Sequence, residues 1–242
     1  ESERNFNVIV EKFEKQKYQK VLDEIKVFEE KYPNFIKKDE LQKIKEQSTI
    51  KLQEENEKLE RLKEEEAKRL EKEKIKEEKK MEVKKEIFSI LNNLSQKYDE
   101  FQNITWVTNK RVENNISVYG GFDGKTYIKP MFYRLVVSYS GKDWIFFEKM
   151  IVITDSGRYV IDFPKLEQKT DVGYGYVYET YDVFLDNVNR GIVRAMVNSD
   201  NVKIRLEGKE NVYDFTLTKA DKAGLKTMID LMDKEQELSE IK

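Results

Sequence analysis

Glycine is absent from the first 119 residues of this 242-residue chain. The first glycine is Gly120, and all ten glycines lie between it and Gly224. Because glycine supplies the backbone conformations of tight turns, so long a stretch without it favours helix. In the same stretch Pro33 is the one proline. The chain is therefore predicted to have a helical N-terminal part and a C-terminal part rich in turns.

Residues 1–38 are predicted to form a helical hairpin. Apolar side chains recur there at helical spacing: Phe6, Val10, Phe13, then Tyr18, Val21, Leu22, Ile25 and Phe28. Tyr32-Pro33 ends the second run, because the residue before a proline is pushed out of the helical conformation. This second run resembles one helical hairpin of a tetratricopeptide repeat over about 30 residues, with no second copy in register. An amphipathic hairpin outside that family would explain the same pattern.

Residues 39–98 are predicted to form one long charged helix. Of the 34 residues from 53 to 86, 25 are charged. Acidic residues precede basic ones by three or four positions, as in Glu64–Lys68, and each such pair stabilises an isolated helix by about 0.2–0.5 kcal/mol. The apolar positions between them do not keep a heptad repeat. The pattern is compatible with a single solvated helix and also with a coiled coil, which would form a homodimer through this helix. In either case we expect a spacer.

The last turns of this helix carry an apolar stripe of Ile87, Ile90, Leu91, Leu94 and Tyr98. A stripe on one face of a helix is typical of packing against a neighbouring layer. We therefore expect the helix to run to about Tyr98 and its end to pack on the domain that follows.

Residues 99–242 are predicted to form an antiparallel α+β domain. They hold 20 of the 28 aromatic residues. Turns at 140–143, 154–157 and 207–210 indicate hairpins, and a capping box at Thr218 and Asp221 indicates a final helix, after an earlier one at 186–198. Helices on one face of an antiparallel sheet give an α+β layer. The candidate strands are residues 105–107, 116–119, 132–139, 144–153, 158–163, 174–181, 202–207 and 212–217.

Composition excludes several classes of function. Cysteine and histidine are absent, which excludes disulfides, Cys/His zinc sites and imidazole-dependent catalytic triads. The net charge is −2, so no basic excess points to nucleic acid. No apolar run reaches the roughly 18 residues that a membrane helix needs. We expect no cofactor, no nucleic-acid partner and no transmembrane segment in this chain.

The C-terminal half carries a set of short motifs: Tyr98-Asp99, Ile104-Thr105-Trp106, Asp143-Trp144-Ile145-Phe146, Asp171-x-Gly173, Tyr181-Asp182, Arg194-Ala195-x-x-Asn198-Ser199 and Val202-Lys203-Ile204-Arg205. Together they resemble a small domain of uncharacterised bacterial surface lipoproteins and phage proteins. The resemblance covers about 120 residues. It implies an envelope or secreted setting and an accessory role. The chain starts at Glu1 without methionine, which is compatible with removal of a leader, while a cytoplasmic location stays open.

The predicted ligand-binding residues are Tyr174, Tyr176, Tyr178 and Trp106. In a strand the three tyrosines share one face, and the glycines between them would leave a flat platform for a sugar or peptide. Packing of that face beneath a helix would explain the same pattern. Trp106 could also line a groove with Trp144 and Phe146, although large aromatic side chains in a sheet usually belong to the core.

Carboxylates are the remaining candidates for acid–base chemistry. Most lie in predicted turns, where aspartate bonds backbone amides, so a glycosidase-like pair is disfavoured: the candidates are Asp143, Asp155, Asp171, Glu179, Asp182 and Asp186. Asp182, Asp186, Asn187 and Asn189 lack the glycine and bidentate glutamate of a calcium loop, so no metal site is expected.

The sequence thus favours a non-enzymatic binding module presented on a helical stalk, with a protein or glycan partner. The alternatives are a coiled-coil assembly protein and a carboxylate-dependent hydrolase.

Overall fold

A computed structural model describes residues 1–110, 115–125 and 130–241. It divides into two compact units, Glu1–Ile75 and Lys76–Lys242. The first unit is helical, and the second contains two antiparallel sheets with helices. The predicted α+β class, with a helical hairpin and a long helix before the sheets, is confirmed.

The helical unit contains α1 (Ser2–Glu14), α2 (Tyr18–Lys31) and the first part of α3 (Lys38–Asn92). Gln16 has φ +56°, a left-handed conformation that reverses the chain between α1 and α2. Helix α2 ends at Lys31, directly before Tyr32-Pro33, as expected because the residue before a proline is pushed out of the helical conformation. The apolar faces of the three helices meet in one core: Phe6, Ile9, Val21, Ile25, Phe28 and Leu41.

The middle of α3 is a solvated charged helix. Glu57–Arg61, Glu64–Lys68 and Glu77–Lys80 form ion pairs at 3.9, 2.6 and 3.0 Å. Their side chains are mostly exposed, so each pair contributes little to stability beyond its local support of the helix. Five apolar residues of this segment are exposed as well, each with 50–56% of its surface accessible to solvent: Leu59, Leu62, Leu70, Ile75 and Met81.

The prediction that this helix continues to Tyr98 is wrong. α3 ends at Asn92, and Leu94–Asp99 forms strand β1, antiparallel to β2 (Ile104–Asn109). Side chains at the helix end explain the stop. Asn93 donates to the carbonyl of Ser89 at 3.1 Å, and Gln96 donates to the carbonyl of Leu91 at 3.0 Å. These bonds satisfy carbonyls that a longer helix would have used.

The predicted packing of the apolar stripe is confirmed for Ile87, Ile90, Leu91 and Leu94, whereas Tyr98 lies in β1 outside this core. Ile87, Leu91 and Leu94 are almost completely buried, in the same core as both sheets. The C-terminal compact unit consequently begins inside α3, at Lys76, and not at residue 99.

The larger sheet contains, besides β1 and β2, the strands β3 (Ile116–Asp123), β4 (Pro130–Gly141), β7 (Gln168–Gly173) and β8 (Tyr176–Phe184). The smaller sheet contains β5 (Lys149–Thr154), β6 (Gly157–Asp162), β9 (Lys203–Glu207) and β10 (Val212–Thr216). Among the described residues, the larger sheet thus has six strands in the order β1-β2-β3-β4-β8-β7, and the smaller one has four in the order β10-β9-β5-β6. Every neighbouring pair is antiparallel.

Two of the predicted hairpins are confirmed, and one is wrong. The turns at 154–157 and 207–210 join β5 to β6 and β9 to β10. The turn at 140–143 does not join paired strands, because β4 pairs with β3 and β8 while β5 lies in the other sheet. Residues 142–148 form an irregular loop that crosses between the sheets, so the predicted strand at 144–153 begins only at Lys149.

The two C-terminal helices complete the core of this unit. α5 (Lys219–Glu240) packs on β2 and β3, and α4 (Asn187–Val197) packs on α5 and β5. The predicted capping box is confirmed, since Thr218 and Asp221 bond each other's backbone amides. The largest buried side chains include Tyr181, Phe122 and Phe147.

Candidate functional site

Trp106 lies on the outer face of the six-stranded sheet, the face opposite to the core. Its strand neighbour Val107 points inward and is 1% exposed, so strand alternation turns Trp106 outward. Cross-strand pairing continues this face from Trp106 through Gly121 to Phe132.

Four aromatic rings form one cluster on this face, here called the Trp106 cluster: Trp106, Tyr119, Phe132 and Phe184. Trp106 lies 5.7 Å from Tyr119 and 5.8 Å from Phe132, and Phe132 lies 6.2 Å from Phe184, measured between ring centroids. The Arg134 guanidinium carbon is 4.5 Å from the centroid of Phe184, a cation–π arrangement. The solvated face of an antiparallel sheet is usually polar. An aromatic cluster there is therefore a candidate binding surface.

A hydrogen-bonded ion pair holds the centre of this surface. Arg134 Nε donates to Asp182 Oδ1 at 2.6 Å, and the Tyr119 hydroxyl donates to Asp182 Oδ2 at 2.9 Å. The Arg134 and Asp182 side chains are 19% and 22% exposed. Burial and the adjacent Asp182 carboxylate raise the pKa of Tyr119 to about 12. Burial opposes the charge of Arg134, but the bond to Asp182 outweighs it and raises the pKa of Arg134.

The tyrosine platform predicted at 174–178 is only partly present. Tyr174 is not in a strand: with φ +53° it forms, with Gly175 at φ +79°, the two-residue turn between β7 and β8. Positive φ at both residues is the type I′ geometry that fits the twist of a hairpin. Tyr174 is consequently fully exposed at the tip. The prediction of three rings on one strand face is wrong for Tyr174.

Tyr176 and Tyr178 do share one face of β8, and they are 47% and 39% exposed. A Cβ added at Gly173 would lie 3.7 Å from Tyr178 Cε2, so this ring does stand beside bare backbone. Both tyrosines are on the same sheet face as Trp106 but far from it. Ser140 pairs with Tyr178, and it is eight residues along β4 from Phe132, about 26 Å at ~3.3 Å per residue. The predicted site residues therefore do not form one site.

A buried carboxylate organises the loop between the two sheets. Glu179 is fully buried in β8. Its carboxylate accepts backbone N–H bonds from Ile145 at 2.7 Å, Phe146 at 2.9 Å and Phe147 at 3.1 Å. The Gln168 side chain adds a fourth bond at 3.2 Å. Charge-assisted bonds of this kind are about twice as strong as neutral ones. They compensate the burial of the charge.

The loop that Glu179 holds has a strained backbone at Phe146. Its φ is +46°, in the left-handed region that aromatic residues rarely adopt. The hairpin between β9 and β10 supports the loop from the other side. Gly208 is required there, because an added Cβ would lie 1.7 Å from the Ile145 carbonyl oxygen. Asn211 also donates to the Trp144 carbonyl at 3.3 Å.

Trp144 and Phe146 stack in this loop and line an open cleft. Their ring planes are 9° apart and their centroids 5.2 Å apart. Phe146 is 53% exposed, whereas Ile145 and Phe147 on either side are buried. The cleft has a volume of about 480 Å³, and its polar lining includes Glu148, Lys165, Gln168, Lys209, Glu210 and Asn211. Trp144 and Phe146 thus form a cluster separate from that of Trp106.

Three of the other carboxylates considered from the sequence make structural bonds. Asp186 caps α4 by accepting from the Asn189 amide at 2.8 Å. Asp155 accepts from the Asp200 amide at 2.6 Å, and Asp171 accepts from the Val172 amide at 2.8 Å. Among residues 1–110, 115–125 and 130–241, no three acidic side chains are grouped as metal ligands would be.

Arg134 was not singled out by the sequence, and the role of Glu179 was not recognised. A signal for Glu179 was nevertheless present. Val177, Tyr181 and Val183 alternate on the core-facing side of β8, and Glu179 occupies the one charged position of that series. A carboxylate at a core position of a strand predicts an internal hydrogen-bond partner. Arg134 lies on the outer face, where arginine is ordinary, so its pattern carried no comparable signal.

No protein-family model, curated protein or solved structure matches the chain. Within the described ranges, none of the helices is both long enough and apolar enough to cross a membrane.

Proposed function

We propose that the C-terminal unit is a non-enzymatic binding module and that the Trp106 cluster is its contact surface for a protein partner. The observation that carries the proposal is the aromatic cluster built around an arginine on an open sheet face. Trp, Tyr, Phe and Arg are enriched at the centres of protein interfaces, where they contribute most of the binding energy.

The surface is also organised before binding. Arg134 is held by Asp182 and stacked on Phe184, so little side-chain entropy remains to be lost on association. Phe184 is 60% exposed, and a partner that covers this ring removes it from water. Each feature favours association with a second polypeptide.

The non-enzymatic part of the proposal is supported by the roles of the carboxylates. Glu179, Asp155 and Asp186 accept backbone amide bonds, and Asp182 is paired with Arg134. Carboxylates bound in this way serve the fold, so a hydrolase is the less supported alternative. The resemblance to surface-lipoprotein domains supports an envelope or secreted setting.

Site-specific photo-crosslinking tests this proposal. Benzoylphenylalanine is placed at Phe184 in the full chain, in the cells that make the protein. We expect one discrete protein adduct in the envelope or secreted fraction, and its loss on Trp106→Ala. The matched control is the same probe at Ile153, a 50% exposed position on the four-stranded sheet. Absence of an adduct at 184, or equal adducts at both positions, would contradict the proposal.

A second candidate function is assembly through α3. Its motivation is that Leu59, Leu62 and Leu70 are 50–55% exposed along the charged segment. Light scattering of the full chain at increasing concentration tests it. A dimer that dissociates when Leu59 and Leu70 are changed to Glu supports assembly, and a monomer at all concentrations excludes it.

A further inference from the structure

The stacked pair Trp144 and Phe146 is held in an arrangement that the core does not need. Phe146 keeps about half of its surface in water, although its two neighbours are buried. Exposure of an apolar ring is unfavourable, and a left-handed conformation adds backbone strain at an aromatic residue. A loop that served only to connect two sheets would be more stable with this ring inside. Backbone strain that the surrounding structure enforces is common where a ligand binds.

The enforcing contacts come from two separate elements. Glu179 on β8 bonds the amides of the loop, and Gly208 and Asn211 support it from the β9–β10 hairpin. With a fully buried carboxylate beneath it, the Phe146 amide has a fixed position. The ring is therefore presented in one orientation before any ligand arrives, which reduces the entropy lost on binding.

The cleft beside these rings has the chemistry of a small-molecule site. Its volume of about 480 Å³ is within the range of ~300–1,000 Å³ that is usual for such sites. Lys165 and Glu148 form an ion pair at 3.1 Å, and Lys209 and Glu210 add one charge of each sign. The lining is thus balanced in charge and rich in both donors and acceptors.

We propose that this cleft binds a neutral saccharide, with a sugar ring packed on the Trp144–Phe146 pair. The C–H face of a pyranose is apolar and carries a partial positive charge, which suits the negative face of an aromatic ring. Its rim of hydroxyls requires donors and acceptors together, and Glu210, Asn211 and Lys209 supply them. A phosphorylated or acidic ligand would gain little from a lining without net charge. This inference is independent of the proposed protein contact, because the Trp106 cluster is a different surface.

Calorimetry and tryptophan fluorescence test the proposal on the full chain. In a Trp106→Phe background Trp144 is the only tryptophan, so its emission locates binding. The probes are cellohexaose, laminarihexaose, maltohexaose, mannohexaose and chitohexaose. We expect saturable heat with at least one of them, together with a change in Trp144 emission.

Two variants separate binding from folding. Phe146→Ala removes the ring, and Phe146→Gly removes it while allowing φ +46° without strain. Both should weaken binding about 10-fold or more, equivalent to ~1.4 kcal/mol. Phe101→Ala, at a 95% exposed aromatic position elsewhere, should change it less than about 2-fold. No binding of any probe to the parent, or unchanged binding by the folded Phe146→Gly variant, would overturn the proposal, as would an equal loss in Phe101→Ala.

Discussion

Substitution of Glu179 tests the account of the loop at residues 142–148 most directly. Its carboxylate is fully buried and accepts three backbone amides and one side-chain amide. Glu179→Gln keeps the shape but turns an N–H₂ group toward donors such as the Phe147 amide. The substitution therefore removes charge-assisted hydrogen bonds and places the N–H₂ donor of the new side chain opposite a backbone N–H donor. An unsatisfied buried donor costs about 1–3 kcal/mol, so we expect a loss of about 2–3 kcal/mol in the free energy of unfolding.

Glu179→Ala leaves all three loop amides without an acceptor and adds a cavity. If the costs of the three unsatisfied amides simply added, the free energy of unfolding would fall by up to about 9 kcal/mol. Relaxation of the loop and entry of water limit this loss, and we expect about 4–5 kcal/mol. Urea unfolding followed by tryptophan fluorescence measures it, because Trp106 and Trp144 both lie in the C-terminal unit. Asp171→Asn is the control: this carboxylate is exposed, and its change should stay within about 0.5 kcal/mol.

Hydrogen exchange supplies a second, local readout. The amides of Ile145, Phe146 and Phe147 should lose protection in Glu179→Ala more than amides in the four-stranded sheet do. If Glu179→Gln is as stable as the parent, or if these three amides stay protected in Glu179→Ala, the carboxylate does not hold the loop and the reasoning fails.

Two further predictions concern the end of α3 and the outer sheet face. Ile87→Ala should lower the free energy of unfolding of the C-terminal unit by about 2–4 kcal/mol, because Ile87 is 1% exposed in its core. Ile75→Ala, at a position that is 55% exposed, should change the free energy of unfolding in urea by less than about 0.5 kcal/mol. Equal effects of the two substitutions would refute the packing of the helix end. The pKa of Tyr119 is raised to about 12, above its ordinary value of about 10, so the stability that this phenol contributes is complete below pH ~10 and is lost as the pH rises to ~12. Tyr119→Phe should therefore reduce the fall in unfolding free energy across this window, and an unchanged pH profile would contradict the assigned bond to Asp182.

Much of the fold could be predicted because local signals agreed with the tertiary structure. The capping box at Thr218, the turn at 154–157 and the proline after α2 all act within a few residues, and all were found. β1 and β7 were missed for physical reasons. β7 is a polar edge strand with little apolar alternation, and it is recognised as a strand only through its pairing with β8. β1 continues an apolar spacing that fits a helix as well, and the polar side chains of Asn93 and Gln96 decide where the helix stops.

The candidate surfaces were harder to predict, because they depend on partners distant in sequence. The position of Phe146 depends on Glu179, which is 33 residues away, and on the backbone of Gly208. A strand was the reasonable local expectation for 144–148, since alternating aromatic and aliphatic residues favour strands. Likewise Trp106 was proposed as a ligand contact, but its neighbours Phe132 and Phe184 come from strands that only the sheet order brings together.

A carboxylate of low exposure lies beside each of the two candidate surfaces. The ion pairs of α3 are exposed, and such pairs contribute at most about 1 kcal/mol each, so their positions say little about function. Burial of a charge costs several kcal/mol unless its bonds are well formed. Glu179 lies beneath the Trp144–Phe146 cleft, and the largely buried Arg134–Asp182 pair lies within the Trp106 cluster. In both places a well-bonded carboxylate fixes the groups beside exposed aromatic rings, which is the arrangement that rigid recognition requires.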